Sequence, residues 1–200
     1  MSFQLGGAFY INLDRRTDRR AEIEGELARM GISGERFPAI ENPDGAIGCM
    51  MSHLSVLEMA KERGYPNVLI LEDDLTFLVG KEELWSTLHS AMQETDGNYE
   101  VIMLSYSIQE STAFSPNLLA IQYAGTASGY IVHSDFYTTL INLTRWALEK
   151  YSETGYTWLF AYDVAWSRIQ GNRWFATSKR IGIQRPSFSD IEGRHTDYKV

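Results

Sequence analysis

Apolar residues along the first half of the chain alternate between short unbroken runs and longer stretches in which they recur every three or four positions. Unbroken runs are typical of buried strands, and the longer spacing is typical of amphipathic helices. The runs lie at positions 8–12, 36–40, 68–75 and 99–104. The helical stretches lie at 14–30, 47–63 and 81–95. This βαβαβαβ order predicts an α/β fold with a Rossmann-like, mostly parallel central sheet flanked by helices.

The second half of the chain has a less regular pattern. Strands are predicted at 118–123, 128–133 and 173–178, and helices at 134–150 and 164–169. The polar stretch 105–117 is predicted to be a loop, because it has no apolar repeat and follows a strand end. From residue 179 onward the chain reads as an extended C-terminal tail. This tail is too short for a core of its own and must cover the first one.

The run at 68–75, V-L-I-L-E-D-D-L, ends in three adjacent carboxylates, Glu72, Asp73 and Asp74. Open α/β sheets bind their ligands beyond the carboxyl ends of the strands, which places these side chains at the expected site edge. Adjacent like charges raise one another's pKa, and a bound divalent cation removes that cost. The triplet therefore predicts a metal site, with a solvated acidic turn as the alternative.

Composition and charge narrow the class of protein. Two hundred residues with 44% hydrophobic content fit one domain with a substantial core. The formal net charge of -8 argues against nucleic acid as a partner. A single cysteine, Cys49, excludes an internal disulfide framework and a cysteine-rich zinc site. No apolar stretch reaches the length of a transmembrane segment and no signal peptide is evident, so a soluble, cytoplasmic protein is expected.

Several segments together resemble one known family. They are F-Y-I-N-L-D-R-R-T-D-R-R at 9–20, I-G-C-M-M-S-H-L at 47–54, V-L-I-L-E-D-D-L at 68–75, T-A-S-G-Y-I-V at 126–132, Y-D-V-A-W at 162–166 and Q-R-P-S-F-S-D-I at 184–191. In this order and spacing they resemble glycosyltransferase family 25, which contains bacterial lipopolysaccharide galactosyltransferases and collagen galactosyltransferases. The resemblance spans almost the whole chain.

The resemblance implies a GT-A type fold and a metal-dependent, inverting transfer. A hexose, galactose or glucose, would pass from a UDP-sugar to a hydroxyl acceptor on a glycan or protein, with Mn²⁺ or Mg²⁺ as cofactor. Residues 1–200 are then one glycosyltransferase domain. Residues 1–104 are expected to be its nucleotide-sugar-binding half, and residues 105–200 its acceptor half and closing tail.

The resemblance also assigns the metal ligands. Asp74 is expected to be the direct ligand, with Glu72 in support, Asp73 beside the donor, and His195 as a further ligand supplied by the tail. Hard divalent cations take oxygen ligands and share themselves with phosphate oxygens, which suits this carboxylate-rich set.

Donor-binding residues are expected next to the first strand and in the second helix. Asn12, Leu13, Arg15 and Arg16 follow the strand, and the planar fork of arginine suits phosphate. Ser52 and His53 lie near the start of a helix, whose N-terminus attracts anions. For His53 a structural role is the alternative.

Two further arginines in the first helix are assigned to its surface. Arg19 and Arg20 are predicted to be solvated or paired, at helical spacing, with glutamates of the same helix. These glutamates are Glu22, Glu24 and Glu26.

Asp163 is the predicted general base. Inversion in one displacement needs a group that takes the acceptor proton, and a carboxylate among aromatic residues has a raised pKa. The expected aromatic neighbours are Tyr156, Trp158, Tyr162 and Trp166. An N-cap role for Asp163 is the alternative. The late motif places Gln184, Ser187, Ser189 and Asp190 near the donor or acceptor.

Two other classes of protein stay open at this point. The acidic strand end also resembles a response-regulator receiver, in which Asp135 would accept phosphate and Lys179 would assist. A receiver domain would begin at the acidic strand, so this interpretation leaves the first 67 residues outside the domain. The second alternative is a non-catalytic protein that binds sugar nucleotides or carbohydrate and does not need Asp163.

Overall fold

One eight-stranded sheet organises the computed structural model, which describes residues 4–171, 173–191 and 193–200. The strands are β1 Gly7–Asn12, β2 Glu35–Pro38, β3 Asn67–Glu72, β4 Leu75–Phe77, β5 Val101–Met103, β6 Ser107–Ala113, β7 Leu118–Gly125, β8 Gly129–His133, β9 Trp174–Thr177, β10 Gly182–Gln184, β11 Ser187–Ser189 and β12 Arg194–Thr196. The helices are α1 Thr17–Met30, α2 Gly45–Glu62, α3 Lys81–Glu94, α4 Tyr137–Thr154, α5 Thr157–Phe160 and α6 Tyr162–Ala165. Short 3₁₀ turns lie at Ser134–Phe136 and Trp166–Arg168.

The strand order in the main sheet is β2-β1-β3-β8-β5-β9-β7-β6. Parallel pairing joins β2 to β1, β1 to β3 and β5 to β9, whereas β8 and β7 are antiparallel to their neighbours. All strands except β7 and β8 therefore run in the same direction. The predicted α/β fold with a mostly parallel central sheet is confirmed.

An apolar layer packs on each face of the sheet, and the strands contribute side chains to both layers. In β1, Phe9 and Ile11 belong to one core cluster, while Ala8 and Tyr10 belong to the other. This period of two is what a strand buried on both faces requires. The first cluster includes α2 and α4, and the second includes α1 and α3. The helical faces predicted from the apolar repeat are the faces that are buried.

Two predicted elements differ in the structure. The run at 68–75 is not one strand, because β3 ends at Glu72 and β4 pairs with β10 in a separate two-stranded sheet. Asp73 and Asp74 form the turn between β3 and β4. The predicted loop at 105–117 contains β6, which forms a hairpin with β7. Its polar side chains gave no apolar alternation because β6 is the edge strand of the sheet.

The tail lies over the carboxyl ends of the strands, as predicted. Its first strand, β10, pairs with β4, and β11 and β12 form a small hairpin. The backbone N–H of Arg185 donates to the carbonyl of Asp74 at 2.8 Å. The tail is thus joined by backbone hydrogen bonds to the turn that carries the acidic triplet. Among the described residues, no helix combines the length and apolarity that a bilayer crossing needs.

Gly48 is predicted to be indispensable for the packing of α2 against the preceding loop. A Cβ atom there would lie 2.5 Å from the carbonyl oxygen of Ile40, which is backbone and yields little. We expect Gly48→Ala to destabilise the fold by roughly 1–3 kcal/mol. Gly25→Ala in α1 is the matched control. It has open space around it and should be neutral or stabilising by up to about 1 kcal/mol.

Urea unfolding of both variants checks this prediction. If the two alanine substitutions change the free energy of unfolding equally, the close approach of Ile40 does not require a glycine at position 48.

Candidate functional site

A cavity of about 560 Å³ opens at the carboxyl ends of β1 and β3. Its walls come from the end of β1, the loop at 39–43, the first turns of α2, the acidic turn and the tail. The predicted site residues that line it are Leu13, Arg15, Ser52, His53, Glu72, Asp73, Asp74, Gln184, Ser187, Ser189 and Asp190. Residues separated by more than 170 positions in the sequence therefore meet around one space.

Arg19 is the main cavity-lining residue that the sequence analysis placed wrongly. Its Nη1 donates to Asp73 Oδ1 at 2.9 Å and lies 3.2 Å from Asp74 Oδ2. It is buried and lines the cavity instead of pairing with glutamates on the helix surface. Side chains in the first turn of a helix point back toward its N-terminus, and this direction carries Arg19 over the strand ends. Arg20 does pair with Glu24, as predicted.

Asp73 is held on both of its carboxylate oxygens. Asn12 donates to Oδ2 at 2.7 Å, and Arg19 donates to Oδ1. Burial raises the pKa of Asp73, while these two bonds oppose the rise. Asn12 is buried and in turn accepts a bond from Arg36. Asn12 therefore orients Asp73.

Asp74 has one carboxylate oxygen without a hydrogen-bond partner among the described residues. Oδ1 is buried and unpaired, whereas Oδ2 contacts Arg19 and accepts from Gln184 Nε2 at 3.3 Å. Burial and the neighbouring charge of Glu72 raise the pKa of Asp74 to about 7. An orphaned carboxylate oxygen beside two other carboxylates is suited to a hard divalent cation. The residues present thus fit a Mn²⁺ or Mg²⁺ ion at Asp74.

Glu72 ends a hydrogen-bonded chain of buried side chains. Its Oε1 lies 3.1 Å from His53 Nε2, and His53 Nδ1 lies 2.9 Å from the hydroxyl of Tyr130. The hydroxyls of Tyr130 and Tyr162 are 2.8 Å apart, and the His53 ring stacks on Tyr162 at 4.4 Å. His53 is fully buried, so it holds Glu72 from behind while it lines the cavity.

Cys49 lies against the same carboxylate. Its Sγ donates to Glu72 Oε1 at 3.9 Å. Burial and the charge of Glu72 raise the pKa of the thiol well above its usual range. A protonated thiol is a poor nucleophile, so the geometry does not favour covalent catalysis by Cys49.

Ser52 supports the cavity wall that the loop at 39–43 and helix α2 form. Its hydroxyl donates to the Gly48 carbonyl at 2.7 Å and accepts from the Ile40 N–H at 2.9 Å. Ser52 therefore fixes the loop at 39–43 to α2.

The 18-residue helix α2 directs its N-terminus toward the cavity, where Gly45 and Gly48 form part of the lining. The N–H groups of Ala46 and Ile47 donate to the Asp44 carboxylate, and that of Gly48 donates to the Asp44 carbonyl. What this end offers an anion is therefore the partial positive charge of the helix dipole.

Two arginines attach the tail to the segment between β1 and α1. Asp190 accepts from Arg15 at 2.8 Å and from Arg16 at 2.6 Å, and Arg16 also pairs with Asp18. Burial raises the pKa of Asp190, but the bonds from the two arginines outweigh this effect and lower it. Arg15 lines the cavity, whereas Arg16 serves mainly to hold the tail.

The late motif meets the acidic turn directly and through Arg19. Gln184 donates to Asp74, and the Ser187 hydroxyl accepts from Arg19 Nη2. Ser189 lines the cavity and accepts a bond from Tyr198 at 3.4 Å. These contacts agree with the expectation that the tail closes the site.

His195 is not brought to the acidic turn. It lies on β12, exposed, with its ring 6.3 Å from that of Phe188 across the hairpin. It is absent from the cavity lining formed by the described residues. The predicted role of His195 as a metal ligand therefore has no geometric support among the described residues, because His195 pairs across the hairpin with Phe188 and does not line the cavity that contains Asp74.

Asp163 lies at the same edge of the sheet but outside the cavity lining. Its Oδ2 accepts from the backbone N–H of Thr126 at 2.9 Å. Ala161, not Asp163, is the N-cap of α6, so the alternative capping role is not observed. Burial is the main cause that raises the pKa of Asp163, and the charge of Glu72 raises it further.

The aromatic surroundings expected for Asp163 are only half right. Tyr162 and Trp166 are buried, whereas Tyr156 and Trp158 are 45% and 67% exposed and stack on each other. The raised pKa of Asp163 therefore arises from general burial near Glu72 and not from a cage of four rings.

The receiver alternative does not agree with the fold. Asp135 follows β8, whose carboxyl end pairs with the first residue of β3, so Asp135 lies at the sheet edge opposite Glu72. Lys179 pairs with Glu83 at the start of α3. The groups that a phosphorylation site requires are thus far apart in the sheet.

The sequence of the chain is similar to those of known proteins. A family model described as Glycosyltransferase family 25 (LPS biosynthesis protein) matches residues 43–149. A Drosophila melanogaster protein named Glycosyltransferase 25 family member is 31% identical over 34% of this chain and 16% of its own length. A Homo sapiens protein named Inactive glycosyltransferase 25 family member 3 has the same identity and coverage. The matched region is thus about a sixth of the length of these curated relatives.

A solved structure shows the same fold. It is the crystal structure of a glycosyltransferase involved in the glycosylation of the major capsid of PBCV-1. The TM-score is 0.55 at 12% identity, with 93% of this chain and 95% of that chain covered. This likeness confirms the GT-A type fold.

Asp74→Asn is predicted to stabilise the protein at neutral and alkaline pH in the presence of a chelator. The pKa of Asp74 in the fold, about 7, lies above the ordinary value, so the native state holds this proton more tightly than the unfolded state. The stability that this group contributes is complete below pH ~4 and is lost as the pH rises through about 7. The variant should gain roughly 1–3 kcal/mol over wild type at pH 8.

Urea unfolding at pH 4 and pH 8 measures this difference, with the exposed Asp135→Asn as control. A gain at pH 8 that disappears at pH 4 is expected. A gain of equal size at both values would contradict the assignment of a raised pKa to Asp74.

Proposed function

The chain belongs to glycosyltransferase family 25, and on this premise we propose that it transfers a hexose, galactose or glucose, from a UDP-sugar to a hydroxyl group of a glycan or protein. The observation that carries the proposal is the buried carboxylate oxygen of Asp74, which has no hydrogen-bond partner among the described residues and lies at the edge of a cavity of about 560 Å³. A cavity of this size accommodates a nucleotide sugar. The family match includes the acidic turn and all of α2.

Asp74 would hold a divalent cation, Mn²⁺ or Mg²⁺, with Glu72 in support. When bound, such an ion neutralises the charge that develops on a departing nucleoside diphosphate. Arg19 and Asn12 hold Asp73 in place beside it and oppose the rise in the pKa of Asp73 that burial causes. The chain thereby offers a rigid carboxylate turn whose excess negative charge a cation balances.

Arg15 lines the cavity, and we assign its guanidinium group to the binding of the donor phosphates. Its side chain is 50% exposed, and its partners are Glu41 and Asp190. A phosphate group can take a bond from the same guanidinium, because its planar fork offers several donors. The dipole of α2 adds a partial positive charge at this wall of the cavity, part of which the capping carboxylate of Asp44 offsets. Residues 1–104 would then form the donor half.

Asp163 is the general base in this proposal. A direct displacement inverts the sugar carbon and requires that the acceptor hydroxyl lose its proton on the face opposite the diphosphate. Burial raises the pKa of Asp163, which favours proton uptake. Residues 105–200 would supply this group, the acceptor contacts and the closing tail.

A turnover experiment tests the proposal. Release of UDP from a panel of UDP-sugars is measured with Mn²⁺, with Mg²⁺ and with a chelator. We expect cation-dependent release that Asp74→Ala abolishes. Asp163→Asn should lower turnover about 10²- to 10⁴-fold, the usual contribution of general base catalysis, while donor binding is kept. The matched control is Asp135→Asn, an exposed carboxylate at the opposite sheet edge.

Turnover that a chelator and Asp74→Ala leave unchanged would refute the metal assignment. Full activity of Asp163→Asn would refute the assignment of Asp163 as the general base.

A non-catalytic, donor-binding protein is the second candidate function. It is favoured by the relative from Homo sapiens, whose name describes that protein as inactive. Tight binding of a UDP-sugar without turnover on glycan, peptide or small glycoside acceptors would support this second function over the first.

A further inference from the structure

Three different metal-ligating side chains meet on the wall of the cavity. They are the thiol of Cys49, the Nε2 of His53 and a carboxylate oxygen of Glu72, and these atoms lie within 4.8 Å of one another. All three residues line the cavity, so a small ion can reach them. Helix α2 supplies Cys49 and His53 one turn apart, and the end of β3 supplies Glu72. The set is therefore fixed by two rigid elements.

The spacing of these atoms suits one tetrahedral ion. Ligands bonded at about 2.0–2.3 Å in a tetrahedral site lie roughly 3.3–3.8 Å from each other. The separations in the structure are 3.1 Å from His53 Nε2 to Glu72 Oε1 and 3.9 Å from Cys49 Sγ to the same oxygen. Small side-chain movements are enough to admit an ion between them.

The hydrogen bond on the far side of His53 has the arrangement seen at metal-bound imidazoles. A ligating histidine donates its second ring N–H to a partner that fixes its orientation. Here Nδ1 lies 2.9 Å from the Tyr130 hydroxyl, which is 2.8 Å from the Tyr162 hydroxyl. The pair of hydroxyls can reverse its donor direction. It therefore accepts from Nδ1–H when Nε2 binds an ion, and donates to Nδ1 when Nε2–H bonds to Glu72.

We propose that Cys49, His53 and Glu72 form a binding site for a soft divalent cation of the zinc class, with its fourth position open to the cavity. Sulfur, imidazole and carboxylate together are zinc ligands, whereas Mn²⁺ and Mg²⁺ favour oxygen. When the cation binds, the thiol of Cys49 releases its proton to solvent and binds as the thiolate. The single thiol distinguishes this site from the oxygen site at Asp74. Glu72 is common to both, so an ion bound here takes a carboxylate away from the donor-site cation.

Cobalt(II) substitution tests the site directly. The chain contains one cysteine, so any sulfur-to-cobalt charge-transfer absorption must come from Cys49. We expect this band to saturate at one equivalent of Co²⁺ and to disappear when Zn²⁺, but not Mg²⁺, is added. X-ray absorption of the zinc form should show one sulfur neighbour at about 2.3 Å.

Variants assign the ligands and their support. Cys49→Ser should remove the band and weaken Co²⁺ binding by more than about 10-fold, because even an indirect partner of a ligand contributes about 10- to 100-fold. Tyr130→Phe should keep the band and weaken binding by about 10- to 100-fold. His89→Asn in α3 is the matched histidine control and should bind as wild type. Thermal unfolding confirms that each variant is folded.

Absence of the charge-transfer band in wild type, or displacement of Co²⁺ by Mg²⁺ as readily as by Zn²⁺, would overturn the proposal. The measurement requires no nucleotide sugar. Its result is therefore independent of whether the chain proves to be a transferase.

Discussion

The ion pairs of Arg19 with Asp73 and Asp74 are the interaction on which the site depends. Three adjacent acidic residues at a buried strand end repel one another, and one guanidinium offsets part of that charge. Arg19 also donates to the Ser187 hydroxyl and to the Phe188 carbonyl. One side chain thus connects α1, the acidic turn and the tail. Arg19 offsets only part of the negative charge of the triplet. Asp74 keeps one oxygen, Oδ1, without a hydrogen-bond partner among the described residues, and its pKa is raised to about 7.

The remaining parts of the cavity are arranged around this turn. On one side, Asp190 joins Arg15 and Arg16, so the tail closes against the end of β1. On the other side, His53 and the hydroxyls behind it hold Glu72 from inside the core. The carboxylates therefore lie between an ionic contact at the surface and a hydrogen-bonded chain in the interior. Such an arrangement keeps charged groups in place before a ligand binds, which lowers the cost of binding.

Much of the fold was predictable from sequence, because strands buried on both faces and one-sided helices leave strong apolar patterns. The failures have physical causes. The edge strand β6 carries polar side chains that resemble a loop, and the division between β3 and β4 lies inside one continuous apolar and acidic run. In the site, the acidic turn was predictable from local sequence. The role of Arg19 was not, since its partners are 54 and 55 positions away and spacing in the helix suggested glutamates. The chain from Glu72 to Tyr162 likewise depends on tertiary packing alone.

The central claim is that Asp74 holds a cation against a nucleotide diphosphate. Crystals grown with Mn²⁺ and UDP, with diffraction recorded at the manganese absorption edge, test this claim most directly. We expect an anomalous peak within about 2.5 Å of Asp74 Oδ1, from an ion that also contacts the diphosphate. A diphosphate bound in the cavity with no manganese at Asp74, or manganese found only at surface carboxylates, would contradict it.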